Sequence, residues 1–440
     1  MSDAVERLKA LGILVPEILL PTEGVDLSRW AVIACDQHTS NREYWREVAE
    51  ATAGIPSTLE LVLPEVYLED DDLDVRLERI RASMERYLEQ GILERAGRLA
   101  VFTERYTRGE RPRRGLVVAV DLERYEYAEG SKTLIRATEE TILSRLPVRE
   151  RIRDGAPLEV PHIMLLLDDP DDTVFSRLSS MRGRMRSLYD TELMLGGGRI
   201  SGRAVEGEEM LAAVAEPLAA LADPVQLSCR YGTDDELLLA VGDGNHSLAA
   251  AKGVWERKKA AGADPETDPG RYALVEIVNL YDPALTIEPI HRLAFGNGAD
   301  GVTEALRALA GANWTEAADA RVACEEAAAS GDTFCVVSGQ DAWTFSLSGD
   351  DATLPQERVE TEIERVKAEA AGEVRIDYIH GSDELLRLAG ENAAVGVVMP
   401  GLERELLFPR VVTSGPLPRK MFSMGESFEK RYYLEARRIV

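Results

Sequence analysis

The stretch Val241–Lys252, VGDGNHSLAAAK, sets a glycine–aspartate–glycine turn, a histidine and a hydroxyl side by side. The aliphatic run before it, Glu236–Ala240, reads as a buried strand, and His246–Lys259 reads as a helix. A turn that opens a helix aims free backbone N–H groups, together with the helix dipole, at any anion placed there. Gly242 and Gly244 permit unusual dihedrals and close approach of a ligand. Asp243 is a candidate metal ligand or base. Asn245 and Ser247 are candidate caps or phosphate partners, and His246 is a candidate donor to a phosphate oxygen. The pattern is neither a GxxxxGK[ST] loop nor a GxGxxG fingerprint. A capped helix after a tight turn would satisfy it as well.

Three further constellations could carry chemistry. RATEETILSRLPVRERIR (Arg136–Arg153) concentrates Arg136, Arg145, Arg149, Arg151 and Arg153 in an otherwise acidic chain. Guanidinium forks match phosphate or carboxylate geometry, and Glu139 and Glu140 are possible bases or metal ligands among them. A solvated helix with internal ion pairs is the alternative. CDQHTS (Cys35–Ser40) places Asp36, Gln37 and His38 at the end of an expected strand, Trp30–Asp36, where α/β proteins position ligand groups. The C-terminal LPRKMFSMGESFEKRYYLEARR groups Arg419, Lys420, Lys430 and Arg431, and reads as an amphipathic helix docked on the core. The five histidines, His38, His162, His246, His291 and His380, match no zinc-binding spacing.

The elements that must position these residues alternate between strand and helix. An amphipathic helix is expected in DDLDVRLERIRASMERYLEQGIL, with Leu73, Val75, Leu77, Ile80, Met84, Tyr87 and Leu88 on one stripe. Strands are expected in RLAVFTERYT and RGLVVAVDLERYEYA, joined by RGERPR, and in HIMLLLDDP, YALVEIVNL and AAVGVVMP. GDTFCVVSGQDAWTFSLSG reads as a hairpin turning at Gly339–Asp341, and Gly262–Gly270 and Gly296–Gly301 as linkers. The fold class is therefore mixed α/β, with mixed sheets and flanking helices. Three regions are expected: an N-terminal one over 1–130, a central one over 131–300 holding the glycine turn, and a C-terminal one over 301–440.

Composition narrows the partners. A 440-residue chain with a formal net charge of −27 lacks the basic face that nucleic acid or an anionic membrane demands. A small anionic ligand in a local cationic pocket remains compatible with it. Four scattered cysteines without a CxxC pair, and the absence of a signal-like start, point to a reducing cytoplasm.

Taken together, WAVIACDQHTS, RATEETILSRLPVRERIR, PHIMLLLDDP, AVGDGNHSLAAAK, EPIHR, DYIHG and LPRKMFSMGESFEKRYYLEAR resemble the bacterial family called domain of unknown function 1015. That family is similar, distantly, to the ParB/sulfiredoxin-like superfamily through a strand–DGHHR–helix element. Superfamily members bind nucleotide or phosphate there; some are DNA-partitioning CTPases and some phosphorylate free serine. Only Asp243, Gly244 and His246 carry over from that element. Ser247 stands where the phosphate-gripping arginine would be, so either an arginine of Arg136–Arg153, Arg292 or Lys420 replaces its charge, or the chain belongs to a DGNHS-type subgroup with its own donor. The resemblance implies a cytosolic phosphotransferase acting on free serine or a similar hydroxy acid, with a nucleotide or pyrophosphate as donor. In that reading the Gly242–Ser247 backbone and His246 hold the donor phosphate, with Arg136, Arg145, Arg149 and Lys420 as further phosphate partners. Asp243 binds Mg²⁺ or orients the phosphate, and Asp36 or Glu139 takes the acceptor's proton. A ParB-like nucleotide-binding regulator and a phosphoester hydrolase are the alternatives, and a homo-oligomer is compatible with each.

Overall fold

Strand, turn and helix follow one another where the apolar periodicity changes from continuous to helical. The computed structural model describes residues 3–107, 111–233, 235–348, 353–392 and 394–440. The chain forms two compact units, Met1–Leu285 with Gly425–Val440, and Thr286–Met424. Part of RGERPR (residues 108–110) and the first residue of AAVGVVMP lie outside the described residues.

The elements of the first unit that matter here are α1 (Arg42–Ala51), α2 (Leu73–Glu89), β1 (Ala100–Tyr106), β2 (Arg113–Asp121), β3 (Ile135–Ala137), α3 (Leu146–Arg153), β4 (Met164–Leu167), β5 (Ser187–Leu193), β6 (Gly198–Val205), β7 (Leu239–Asp243), α4 (Asn245–Ala260) and β8 (Tyr272–Asn279). They build one mixed sheet in the order β5–β6–β1–β2–β8–β4–β7–β3, with short strands added. Alternation along the strands divides the core between the two faces. Phe102, Leu116 and Val118 pack on one side with Leu165 and Val241, while Val101 and Val117 pack on the other with Trp30, Trp45 and Tyr433. The helix expected within Asp71–Leu93 forms over Leu73–Glu89 and buries Leu77, Ile80, Met84 and Tyr87; Leu73 and Leu88 are half-buried, and Val75 turns to solvent instead.

The second unit contains β9 (Ile287–Gly296), α5 (Asp300–Ala310), α6 (Ala320–Ala329), β10 (Thr333–Ser338), β11 (Asp341–Ser346), α7 (Pro355–Glu369), β12 (Val374–His380), α8 (Ser382–Asn392) and β13 (Val395–Val398). Its sheet runs β11–β10–β13–β9–β12, and β10 and β11 form the expected hairpin. Of the segments read as linkers, Gly262–Gly270 joins α4 to β8 inside the first unit, and Gly296–Gly301 joins β9 to α5 inside the second. Among the described residues no single helix is long and apolar enough to cross a membrane.

Two local expectations are corrected. Trp30–Asp36 is not a sheet strand: Leu27–Trp30 is a helical turn capped by Asp26, and the chain then runs extended with a single bridge, Ile33 to Tyr432. The C-terminal segment is not an amphipathic helix. It runs extended and buried from Lys430 to Arg437, because its charged side chains find partners inside the fold rather than in water.

Candidate functional site

The turn between β7 and α4 is built by two glycines with different duties. Gly242 lies at an irregularity in the β7–β4 pairing, where a Cβ would sit 2.8 Å from Leu166 Cγ. Gly244 precedes α4 in the left-handed region (φ +82) and gives the helix no side-chain cap. Asp243 takes part of that role, since its Oδ1 accepts the Gly244 N–H at 3.1 Å. Its Oδ2 lies 3.0 Å from Lys430 Nζ, a side chain only 6% exposed.

Lys430 is delivered by the returning C-terminal segment. Arg105 donates to the carbonyls of Phe428 (3.1 Å) and Lys430 (3.5 Å), and Arg113 donates to that of Glu429 (2.8 Å). The next residue, Arg431, is buried between Glu276 (2.8 Å) and Glu435 (2.5 Å). Burial alone would raise the Glu276 carboxyl, but Arg431 and Arg113 outweigh it and hold the group below its usual range. The segment then pairs with the stretch before Asp36, through Ala34 N–H to Arg431 O at 2.8 Å and Tyr433 N–H to Val32 O at 2.9 Å.

This pairing brings Cys35–Gln37 to His162, which precedes β4. His162 Nε2 lies 2.9 Å from Ser247 Oγ and 4.0 Å from Asp36 Oδ2, and Nδ1 lies 3.1 Å from the Tyr433 hydroxyl. That hydroxyl accepts the Cys35 N–H at 3.0 Å. Burial pushes the Asp36 carboxyl up, but His162, a hydrogen bond from Gln37 and Lys430 more than offset it and keep it below the usual range. Glu65 moves the other way: burial raises it, Asp36 adds to the rise, and its partner Arg149 opposes it. Neighbouring carboxyls pushed apart in this way are suited to different protonation roles. Burial, Asp36 and Glu65 push the Cys35 thiol far up, so Cys35 does not supply a thiolate.

Of the residues expected at the site, Asp36, Arg149, Asp243, Gly244 and Ser247 belong to this connected group. His246 uses Nε2 to accept the Ile142 N–H at 3.2 Å, so donation to a phosphate would have to come from Nδ1. Asn245 Oδ1 is buried without a hydrogen-bond partner among the described residues. Glu139 is half-buried beside Thr138, whose hydroxyl ties the loop to Val241 O at 2.5 Å. Arg136 is turned to structural work, with Nε on Thr133 O (3.0 Å) and Nη2 on Glu236 O (2.7 Å). Arg145 is exposed, and its carbonyl holds Arg149. Lys420 lies exposed in the second unit. Arg292 lies fully buried in that unit against Glu360 at 2.7 Å. Within the first unit, Lys430 supplies a cation to the cluster.

A resident Mg²⁺ on Asp243 does not fit. Both carboxylate oxygens are engaged, and no group of three His, Cys, Asp or Glu among the described residues is arranged to hold a metal. Sequence reasoning missed Lys430, His162, Tyr433 and Glu65 as site residues. The usable signal was the apolar run after His162: once β4 pairs with β7, Met164 lies opposite Asp243 and His162 must lie near the turn.

A family model described as "Protein of unknown function (DUF1015)" matches residues 19–369. The chain belongs to that family. No match is found among curated proteins. Among solved structures, a conserved hypothetical protein from Pyrococcus furiosus is similar at 12% identity and TM-score 0.36, over 72% of this chain and 93% of that one. A free serine kinase in complex with AMP is similar at 11% identity and TM-score 0.37, over 72% and 90%. SbnI with a C-terminal truncation, from Staphylococcus aureus, is similar at 10% identity and TM-score 0.36, over 70% and 82%.

Proposed function

We propose that the first unit transfers a phosphoryl group from a nucleotide or pyrophosphate to the hydroxyl of free serine or a similar hydroxy acid. The observation that carries this reading is Lys430, a buried cation fixed on Asp243 at 3.0 Å in the group that also holds Asp36, His162 and Ser247. Phosphoryl transfer asks the protein mainly to position groups and neutralise charge. The donor phosphate sits against the Gly242–Ser247 turn, with Lys430 and the first amides of α4 facing its oxygens. Asp36, held ionised, accepts the acceptor's hydroxyl proton, a role worth about 10²–10⁴-fold. Arg149 holds Glu65 beside it. The partner is a small anionic molecule in the cytoplasm, met by the local charge of Lys430 within an otherwise acidic chain.

The test is direct. Purified protein incubated with Mg²⁺, serine and ATP, ADP or pyrophosphate in turn is expected to make phosphoserine, read by phosphorus NMR. No product with any of the three donors sinks the reading. Phosphate release that ignores serine supports a hydrolase instead. Nucleotide binding without turnover supports a regulator of the ParB-like kind.

A further inference from the structure

Ser247 occupies an unusual place for a serine in the first turn of a helix. Such a hydroxyl ordinarily caps the helix or bonds back to its backbone. Here its hydrogen bond goes to a different element altogether, His162 Nε2 at 2.9 Å. The side chain is also partly exposed, on the same turn as the Asp243–Lys430 pair.

His162 is itself held from behind. Tyr433 accepts the Cys35 N–H at 3.0 Å and turns its oxygen to Nδ1 at 3.1 Å, with its ring edge-on to the imidazole. In the tautomer that places Nδ1–H on the phenol oxygen, Nε2 presents its lone pair to the serine hydroxyl. Asp36 Oδ2 lies 4.0 Å from Nε2, the same nitrogen that meets the serine hydroxyl. A nucleophile within hydrogen-bond reach of a base, with that base oriented by a third group, is the arrangement of covalent catalysis.

We infer that Ser247 is a nucleophile that carries the phosphoryl group as a covalent phosphoserine between donor and acceptor. The inference rests on the phosphotransfer reading and specifies its route. In the first step Ser247 Oγ forms a bond to the terminal phosphorus of the donor. The phosphorus–oxygen bond to the departing nucleotide or phosphate breaks, and the serine proton passes to His162 Nε2. In the second, the acceptor hydroxyl attacks the same phosphorus and gives its proton to Asp36. Ser247 Oγ leaves and recovers its proton from His162. One serine-type ester replaces another, so the second step is close to balanced in energy.

The experiment is intact-mass and peptide mapping of the full chain mixed with Mg²⁺ and ATP, ADP or pyrophosphate, without serine, then with serine added. The expected result is one phosphate on Ser247 that disappears as free phosphoserine forms. Initial rates over varied donor and acceptor should give parallel double-reciprocal lines. Ser247→Ala should lose the label and about a thousandfold of turnover, and His162→Asn should slow labelling about a hundredfold, within the range for general bases. Circular dichroism confirms that both variants fold, and Ser247→Cys provides a second replacement that keeps a nucleophile. Phosphoserine production by Ser247→Ala at the wild-type rate, or intersecting lines with no label, overturns the covalent route while leaving phosphotransfer standing. Absence of both label and product with every donor overturns both.

Discussion

Lys430 in the first unit and Arg292 in the second are both buried cations paired with one carboxylate. Their partners differ. Arg292 is fully buried on Glu360, itself 7% exposed, so the pair is closed to water. Lys430 is 6% exposed, but Asp243 is 21% exposed, and Asp36 and His162 beside it are 18% and 12% exposed. A closed pair has nothing left to offer a ligand. An open one keeps its cation desolvated while its anion can be displaced or shared, which is the state in which a fixed charge acts strongly on a substrate. Near neighbours repeat the contrast. His291 in the second unit is buried and accepts the Met399 N–H at 3.2 Å, whereas His162 shares its exposed edge with Ser247 and Asp36.

The comparison breaks most sharply if Arg292 can be removed cheaply. Arg292→Ala leaves Glu360 buried and unpaired, and is expected to destabilise the second unit by about 3–5 kcal/mol in a denaturant titration. A loss under 1 kcal/mol would mean that the pair is not closed. Lys430→Ala should invert the pattern: turnover falls about 10²–10³-fold, the scale of one preorganised electrostatic group, with a smaller change in unfolding midpoint. Equal losses of stability and rate would make Lys430 a structural residue only.

Acid offers a third test. Burial, and then Arg292 and His380, push the His291 imidazole down from 6.5 to about 4. Because the folded value lies below the unfolded one, the unfolded chain binds the proton first as pH falls. The stability conferred by neutral His291 is present above pH 6.5 and is lost between 6.5 and about 4. The slope is at most about 1.4 kcal/mol per pH unit. Replacing His291 with Gln should flatten that part of the pH–stability curve; an unchanged slope would place the acid sensitivity elsewhere. The smallest effect is expected for Gly244→Ala, about 1–2 kcal/mol for a left-handed backbone with a Cβ. The new atom would meet Ile163 Cγ1 at 3.0 Å, so turnover should fall along with the melting temperature.

Local pattern made much of this fold readable. The strand–turn–helix at Val241–Lys252, the helix Leu73–Glu89 and the Gly339 hairpin all depend on residues within a few turns of one another. The site was readable only in halves. Asp36, Asp243 and Ser247 stood out by type, but their connection runs through His162 and Lys430, whose partners lie far away in the chain. Trp30–Asp36 and Lys430–Arg437 were misread for one reason. Each is extended because of the other, and neither contains a local signal of its distant partner. The apolar Ala31–Ala34 imitates a sheet strand, and the charged KRYYLEAR imitates a helix surface. Only the ion pairs with Glu276, Glu435 and Glu159 let those charges enter the interior.

The first unit is interrupted between Leu285 and Gly425. On the ribosome its sheet emerges early, but Lys430 and Tyr433 follow only after the whole second unit has been made. At about 5–20 residues per second that delay is on the order of ten to thirty seconds. During it the nascent unit holds Asp36, Asp243 and Ser247 without the cation and the phenol that complete the cluster. A chain halted between Leu285 and Gly425 would thus hold the strands of that sheet but not Lys430 or Tyr433, so the cluster is assembled only as synthesis nears its end.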